Sequence, residues 1–186
     1  MPLSLKNCKS LRFIDLGKNR LSRKIPPWIG GSFPRLMVLN LRSNILCGSI
    51  CLKLCQLKKL QILDLSSNNM SGTIPRCLSN FTAMIEKGSL TIVYNFSLYN
   101  SQMLYIRRPY VDSELVKWKG REFEYKNTLG LVKSIDLSSN KITGEIPKEV
   151  TDLLELVSLN FSRNNLTGLI PTTIGQLISL DVLDLS

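Results

Sequence analysis

Leu60-Gln61-Ile62-Leu63-Asp64-Leu65-Ser66-Ser67-Asn68-Asn69-Met70-Ser71-Gly72-Thr73-Ile74-Pro75 decides the fold, because its frame returns along the chain. Apolar residues stand at 60, 63 and 65, asparagine at 68 and methionine at 70. Toward the N-terminus the same spacing is held by Leu36, Leu39, Leu41, Asn44 and Leu46, and before them by Leu11, Ile14, Leu16, Asn19 and Leu21. Toward the C-terminus, after a gap, it is held by Val132, Ile135, Leu137, Asn140 and Ile142, then by Leu156, Leu159, Phe161, Asn164 and Leu166. Leu180, Leu183 and Leu185 open one more copy. Asn19 and Asn44 are 25 residues apart; Asn44 to Asn68 and Asn140 to Asn164 are 24 apart. Self-similarity at a fixed period of this length is the signature of a solenoid, whose coils bury a core only by stacking.

Each position has a physical reason. A short strand per coil, with alternating side chains, points the apolar residues inward and the residue between them outward. Asn19, Asn44, Asn68, Asn140 and Asn164 fall where the chain turns, and their amides can satisfy buried backbone groups there. The second half of the repeat reads Met70-Ser71-Gly72-Thr73-Ile74-Pro75, Ile142-Thr143-Gly144-Glu145-Ile146-Pro147 and Leu166-Thr167-Gly168-Leu169-Ile170-Pro171. Glycine suits a tight backbone position and proline stops further strand pairing. Two copies depart: Arg23 stands at the glycine and Cys51 at the proline. Local irregularity is expected at both. The pattern resembles the plant-specific leucine-rich repeat. That resemblance implies an α/β-type solenoid with a parallel β-sheet on its concave face and a second short strand beside it.

Between Pro75 and Val132 the pattern fails. The interval from Asn68 to Asn140 equals three periods of 24, but no frame fits inside it, so the equality reads as coincidence. Residues 83–128 hold eight of the thirteen aromatics, including every tyrosine. A structureless loop of that length is improbable in a compact domain. The expected organisation is therefore repeats over 1–82, an island domain over 83–128, and repeats over 129–186. Val116-Lys117-Trp118 and Phe123-Glu124-Tyr125 alternate around Lys119-Gly120, which predicts a β-hairpin.

Asn80-Phe81-Thr82-Ala83-Met84, Trp118-Lys119-Gly120-Arg121-Glu122-Phe123-Glu124-Tyr125 and Ile135-Asp136-Leu137-Ser138-Ser139-Asn140 together look like the late repeats and island of plant receptor-like proteins. That group includes fungal-xylanase receptors and leaf-mould resistance proteins. The likeness runs from Leu5 to Ser186. It implies an extracellular module that recognises a peptide, protein or wall-derived ligand at the plasma membrane, with a co-receptor of the somatic-embryogenesis type and an adaptor receptor kinase as partners. In that family a cap, earlier repeats, a transmembrane helix and a short tail without a kinase complete the protein. The present chain is accordingly expected to be a fragment, touching membrane only through segments it lacks. Two other readings share the repeat. A secreted inhibitor of wall-degrading enzymes resembles an uninterrupted solenoid, and a receptor-kinase ectodomain resembles the chain less well at residues 118–125.

Composition bounds the chemistry. Residues 1–60 carry twelve Lys and Arg against Asp15 alone, whereas residues 61–186 carry twelve against thirteen acids. Such a region can attract nucleic acid, anionic membrane or acidic polysaccharide. The preferred reading is a solvated surface with no nucleic-acid partner, because the charges do not share one face of the repeat. The chain has no histidine and no Cys-x-x-Cys pair, so no metal site and no cofactor is expected. The acids Asp15, Asp64, Asp136 and Asp184 share the outward strand position, and Asp64 would neighbour Asp136 if the island loops out. Repeat consensus accounts for them better than acid–base catalysis, so the chain reads as no enzyme. Asn69, Asn80, Asn95, Asn160 and Asn165 head Asn-x-Ser/Thr sequons, and a glycan at Asn160 would obstruct the sheet locally. Of Cys8, Cys47, Cys51, Cys55 and Cys77, the resemblance supports pairing Cys55 with Cys77; two buried thiols are the other reading. In the island, Tyr105, Arg107, Arg108 and Tyr110 are the candidate ligand or co-receptor contacts, because aromatics and arginine concentrate binding energy. Trp118 is expected in the island's own core.

Overall fold

A computed structural model describes residues 1–86, 113–118, 121–126 and 132–186. The chain divides into two compact units, Met1–Lys87 with Val132–Ser186, and Gly88–Leu131.

The first unit is a stack of coils built around one parallel sheet. Strands β1 (Phe13–Asp15), β3 (Val38–Asn40), β5 (Ile62–Asp64), β9 (Ser134–Asp136), β11 (Ser158–Asn160) and β13 (Val182–Asp184) lie in the order β1-β3-β5-β9-β11-β13. Five of them start a coil whose next element is a second short strand: β2 (Ser22–Arg23), β4 (Ile45–Gly48), β6 (Asn69–Gly72), β10 (Lys141–Gly144) and β12 (Asn165–Leu166). These form a five-stranded sheet of their own. Short 3-10 turns at Leu52–Gln56, Arg76–Asn80, Lys148–Asp152 and Thr172–Gln176 close the coils. Leu39, Leu41, Leu63, Leu65, Ile135, Leu137, Leu159 and Phe161 are at most 1% exposed and form the interior.

Coil 1 is the exception. Its extra residue lies in the closing segment, and there helix α1 (Trp28–Ser32) replaces the 3-10 turn. The wider α turn packs on the next coil only because position 30 is glycine: a Cβ there would sit 1.7 Å from the Lys53 carbonyl oxygen.

The two departures from the repeat leave the backbone regular, contrary to expectation. Arg23 has φ 74°, beside 78° at Gly48 and Gly72 and 79° at Gly144 and Gly168. Cys51 has φ −69° and ψ 126°, close to −68° and 131° at Pro75. Stacking against neighbouring coils overrides the local preference of the substituted residue.

The insertion point is sharper than the aromatic composition suggested. Thr82–Met84 is still a 3-10 turn of the solenoid, and Met84 is fully buried. The Ala83 amide donates to the Lys58 carbonyl, and the Glu155 amide to the Met84 carbonyl. On re-entry the Ser134 amide donates to the Gln61 carbonyl and the Val157 amide to the Lys133 carbonyl. Met84 and Val132 both stand where Leu60 and Leu156 stand, so one coil is assembled from two chain segments. Residues 83–86 stay with the repeats because their backbone and Met84 are paired and packed there.

Within the second unit, β7 (Ser113–Trp118) and β8 (Arg121–Lys126) form an antiparallel hairpin, with register from Ser113↔Lys126 to Trp118↔Arg121. The hairpin falls around Lys119-Gly120, as the alternation predicts.

Candidate functional site

The asparagines tie coil to coil. Asn140 donates from Nδ2 to the carbonyls of Leu65, Leu137 and Ser138 at 3.0, 3.0 and 3.2 Å, and its Oδ1 accepts from the Met70 amide at 2.9 Å. Asn44, Asn68 and Asn164 repeat the pattern with their own preceding coils. Asn19 bonds only to Leu16 and Gly17 of its own turn. The residue before each asparagine is left-handed: φ is 53° at Lys18, 51° at Ser43, 54° at Ser67, 55° at Ser139 and 54° at Arg163. That conformation is costly for a side chain. It is held because each of these amides donates to the next coil, as Ser67 does to the Ser138 carbonyl at 2.9 Å.

The shared strand position forms one column: Asp15, Asn40, Asp64, Asp136, Asn160 and Asp184 are partners in successive strands. Each lends an Oδ1 to the amide two residues on, at 2.8 Å for Asp15 to Gly17 and 2.9 Å for Asp64 to Ser66. Asparagine does this as well as aspartate, so the position is a turn cap, and proton transfer is not required to explain it. The looping-out of the island brings Asp64 and Asp136 into direct register. Although the position is outward by strand alternation, the two are only 8% and 6% exposed. Burial, reinforced by the Asp136 charge, pushes the Asp64 carboxyl up to about 6, against the bonds from Ser66 and the Arg42 charge.

Lys133 escaped notice in the sequence because a lone lysine beside a strand carries no signal. Its side chain is nearly buried, and Nζ donates to the Glu86 carbonyl and lies 3.8 Å from Glu155 Oε2. It thereby joins the segment that re-enters the solenoid to Glu86, in the segment that leaves it. Burial lowers its pKa against the pull of Glu155 and Glu86.

The remaining candidates divide cleanly. Cys55 and Cys77 are joined, with Cα atoms 5.7 Å apart, and Cys8, Cys47 and Cys51 are free. Asn69, Asn80 and Asn165 are exposed, while Asn160 is half-buried and its Oδ1 accepts from both the amide and the hydroxyl of Ser162. Asn95, Tyr105, Arg107, Arg108 and Tyr110 lie outside the described residues. Among the described residues no group of acidic, cysteine or histidine side chains could hold a metal, and no helix is long and apolar enough to cross a membrane.

The Leucine Rich Repeat family profile matches residues 10–32, 59–81, 131–153 and 155–177. Receptor-like protein EIX2 of Solanum lycopersicum is 45% identical over 160 residues, which are 84% of this chain and 15% of that protein. The chain thus spans a small part of the curated relatives it matches. The plant peptide hormone receptor RGFR1, solved in complex with RGF2, superposes with a TM-score of 0.67 at 30% identity, over 96% of this chain and 21% of that one. The Arabidopsis receptor kinase HAESA, solved with the peptide hormone IDA and the co-receptor SERK1, gives 0.57 at 30% identity, over 98% and 26%.

Proposed function

We propose a role from this premise: the chain is a leucine-rich-repeat protein related to the plant receptor-like proteins. It is read as a ligand-recognition segment on the extracellular side of the plasma membrane, in a receptor without its own kinase domain. The segment performs no catalysis; its ligand is a peptide, protein or wall-derived molecule, and a co-receptor and an adaptor kinase carry the signal.

One observation carries the reading. The solenoid is continuous across the insertion: β5 pairs with β9 and β6 with β10, so both sheets pass from one side of it to the other. The strand column of the solenoid offers little to a ligand, because its carboxylates, amides and the Ser66 hydroxyl are bonded internally. The aromatics and paired arginines of the island are the better source of contact energy. The peptide-bound receptors among the similar structures support a ligand of that class.

The test is made in the full-length receptor. Arg107→Ala with Arg108→Ala should weaken ligand or co-receptor complex formation by tenfold or so while secretion and glycosylation stay normal. Trp118→Ala should instead reduce secretion. Normal complex formation by the double arginine variant would remove the assignment of contacts to the island.

A further inference from the structure

Away from the strand column, along the turn at Leu52–Gln56, the first three coils leave an open groove of about 870 Å³. Its floor includes Ile25 and Ile50, 2% and 3% exposed, with the Cys55–Cys77 disulfide alongside. Leu52 lines it at 69% exposed. Lys24 and Lys53 also line it, and both are exposed. No acidic residue is among the lining residues. The stem of Lys24 lies across Gly48, where a Cβ would meet its Cγ at 2.9 Å and its Cε at 3.1 Å. The missing side chain thus seats the lysine.

We propose that this groove docks an extended segment of a partner protein that carries acidic residues next to aliphatic ones. An apolar floor gains from covering aliphatic side chains. Two ammonium groups without a lining acid attract and orient carboxylates, and the region around them is basic overall. The recess accepts side chains, whereas a flat bilayer surface would meet only its rim. The surface uses no island residue and stands independently of the island's role.

The test uses the secreted chain and, in parallel, its Asn80→Gln variant, because Asn80 lines the groove and heads a sequon. The probe is fluorescein-labelled acetyl-Leu-Asp-Leu-Glu-Leu-amide, and the control replaces its acids with lysines. Fluorescence polarisation should show saturable binding of the acidic probe, with the control about tenfold weaker. Lys24→Glu with Lys53→Glu should reverse that preference. Bound acidic probe should slow alkylation of Cys51 and leave Cys8 unaffected. The proposal is overturned by equal binding of the two probes, or by an unchanged preference in a charge-reversed variant of native circular dichroism. Binding confined to anionic phospholipid vesicles, with none to the peptide, also overturns it.

Discussion

At the residue scale, the solenoid imposes conformations that individual side chains resist. Arg23 occupies a left-handed position that glycine holds in the other coils. Relief of that strain outweighs the extra freedom glycine gives the unfolded chain. Arg23→Gly is therefore expected to stabilise the chain by about 1 kcal/mol, read from the midpoint of urea unfolding. Asp64 is the second case. Its raised pKa means the folded state holds a proton between the ordinary carboxylate value of 3.8 and about 6 that the unfolded chain has released. Its contribution is then fully present below the unfolded value and lost as pH rises through about 6. Asp64→Asn keeps the acceptor for the Ser66 amide, as Asn40 does for Arg42. The variant should gain on the order of 2 kcal/mol at neutral pH and show a flatter stability profile from pH 4 to pH 7. An unchanged slope in that window would count against a burial-raised Asp64 carboxyl.

At the element scale, cohesion resides in the contacts between coils. Asn140 makes four bonds, two of them to the coil before the island, at Leu65 and Met70. Truncating it leaves buried carbonyls and an amide without partners, each costing about 1 kcal/mol or more. Asn140→Ala should destabilise by roughly 3 kcal/mol or more, and Asn19→Ala, which bridges nothing, by under about 1. Similar losses at both would mean that the asparagines act only within their own turns. These asparagines were legible in the sequence because spacing exposes a role that recurs. Lys133 was not, since its value depends on the Glu86 carbonyl and Glu155, which only the folded seam brings to it.

At the scale of the whole molecule, the last coil differs from those inside the stack. Leu169, Ile170, Ile178 and Leu183 are 88%, 53%, 81% and 43% exposed. Coils of a solenoid gain stability from neighbours, and an uncovered apolar face drives association. The 186-residue chain, expressed alone, should self-associate at micromolar concentration in light scattering. Leu169→Ser with Ile178→Ser should shift it toward monomer without altering its circular dichroism. A monodisperse parent chain would contradict this.

The repeat, and with it the core columns and the asparagines at the turns, followed from spacing, and the Asp64–Asp136 proximity from spacing once the island loops out, because every coil must satisfy the same packing and hydrogen-bonding geometry. Three things did not. The backbone stayed regular at Arg23 and Cys51 because neighbouring coils dictate a conformation that local preference would refuse. Residues 83–86 stay in the solenoid because Ala83 and Met84 find partners at Lys58 and Glu155, contacts remote in sequence. The burial of Asp64 and Asp136 arises when strands 72 residues apart in the chain are placed side by side. Period is a property of one dimension and can be read there; desolvation and long-range pairing exist only once the coils have stacked.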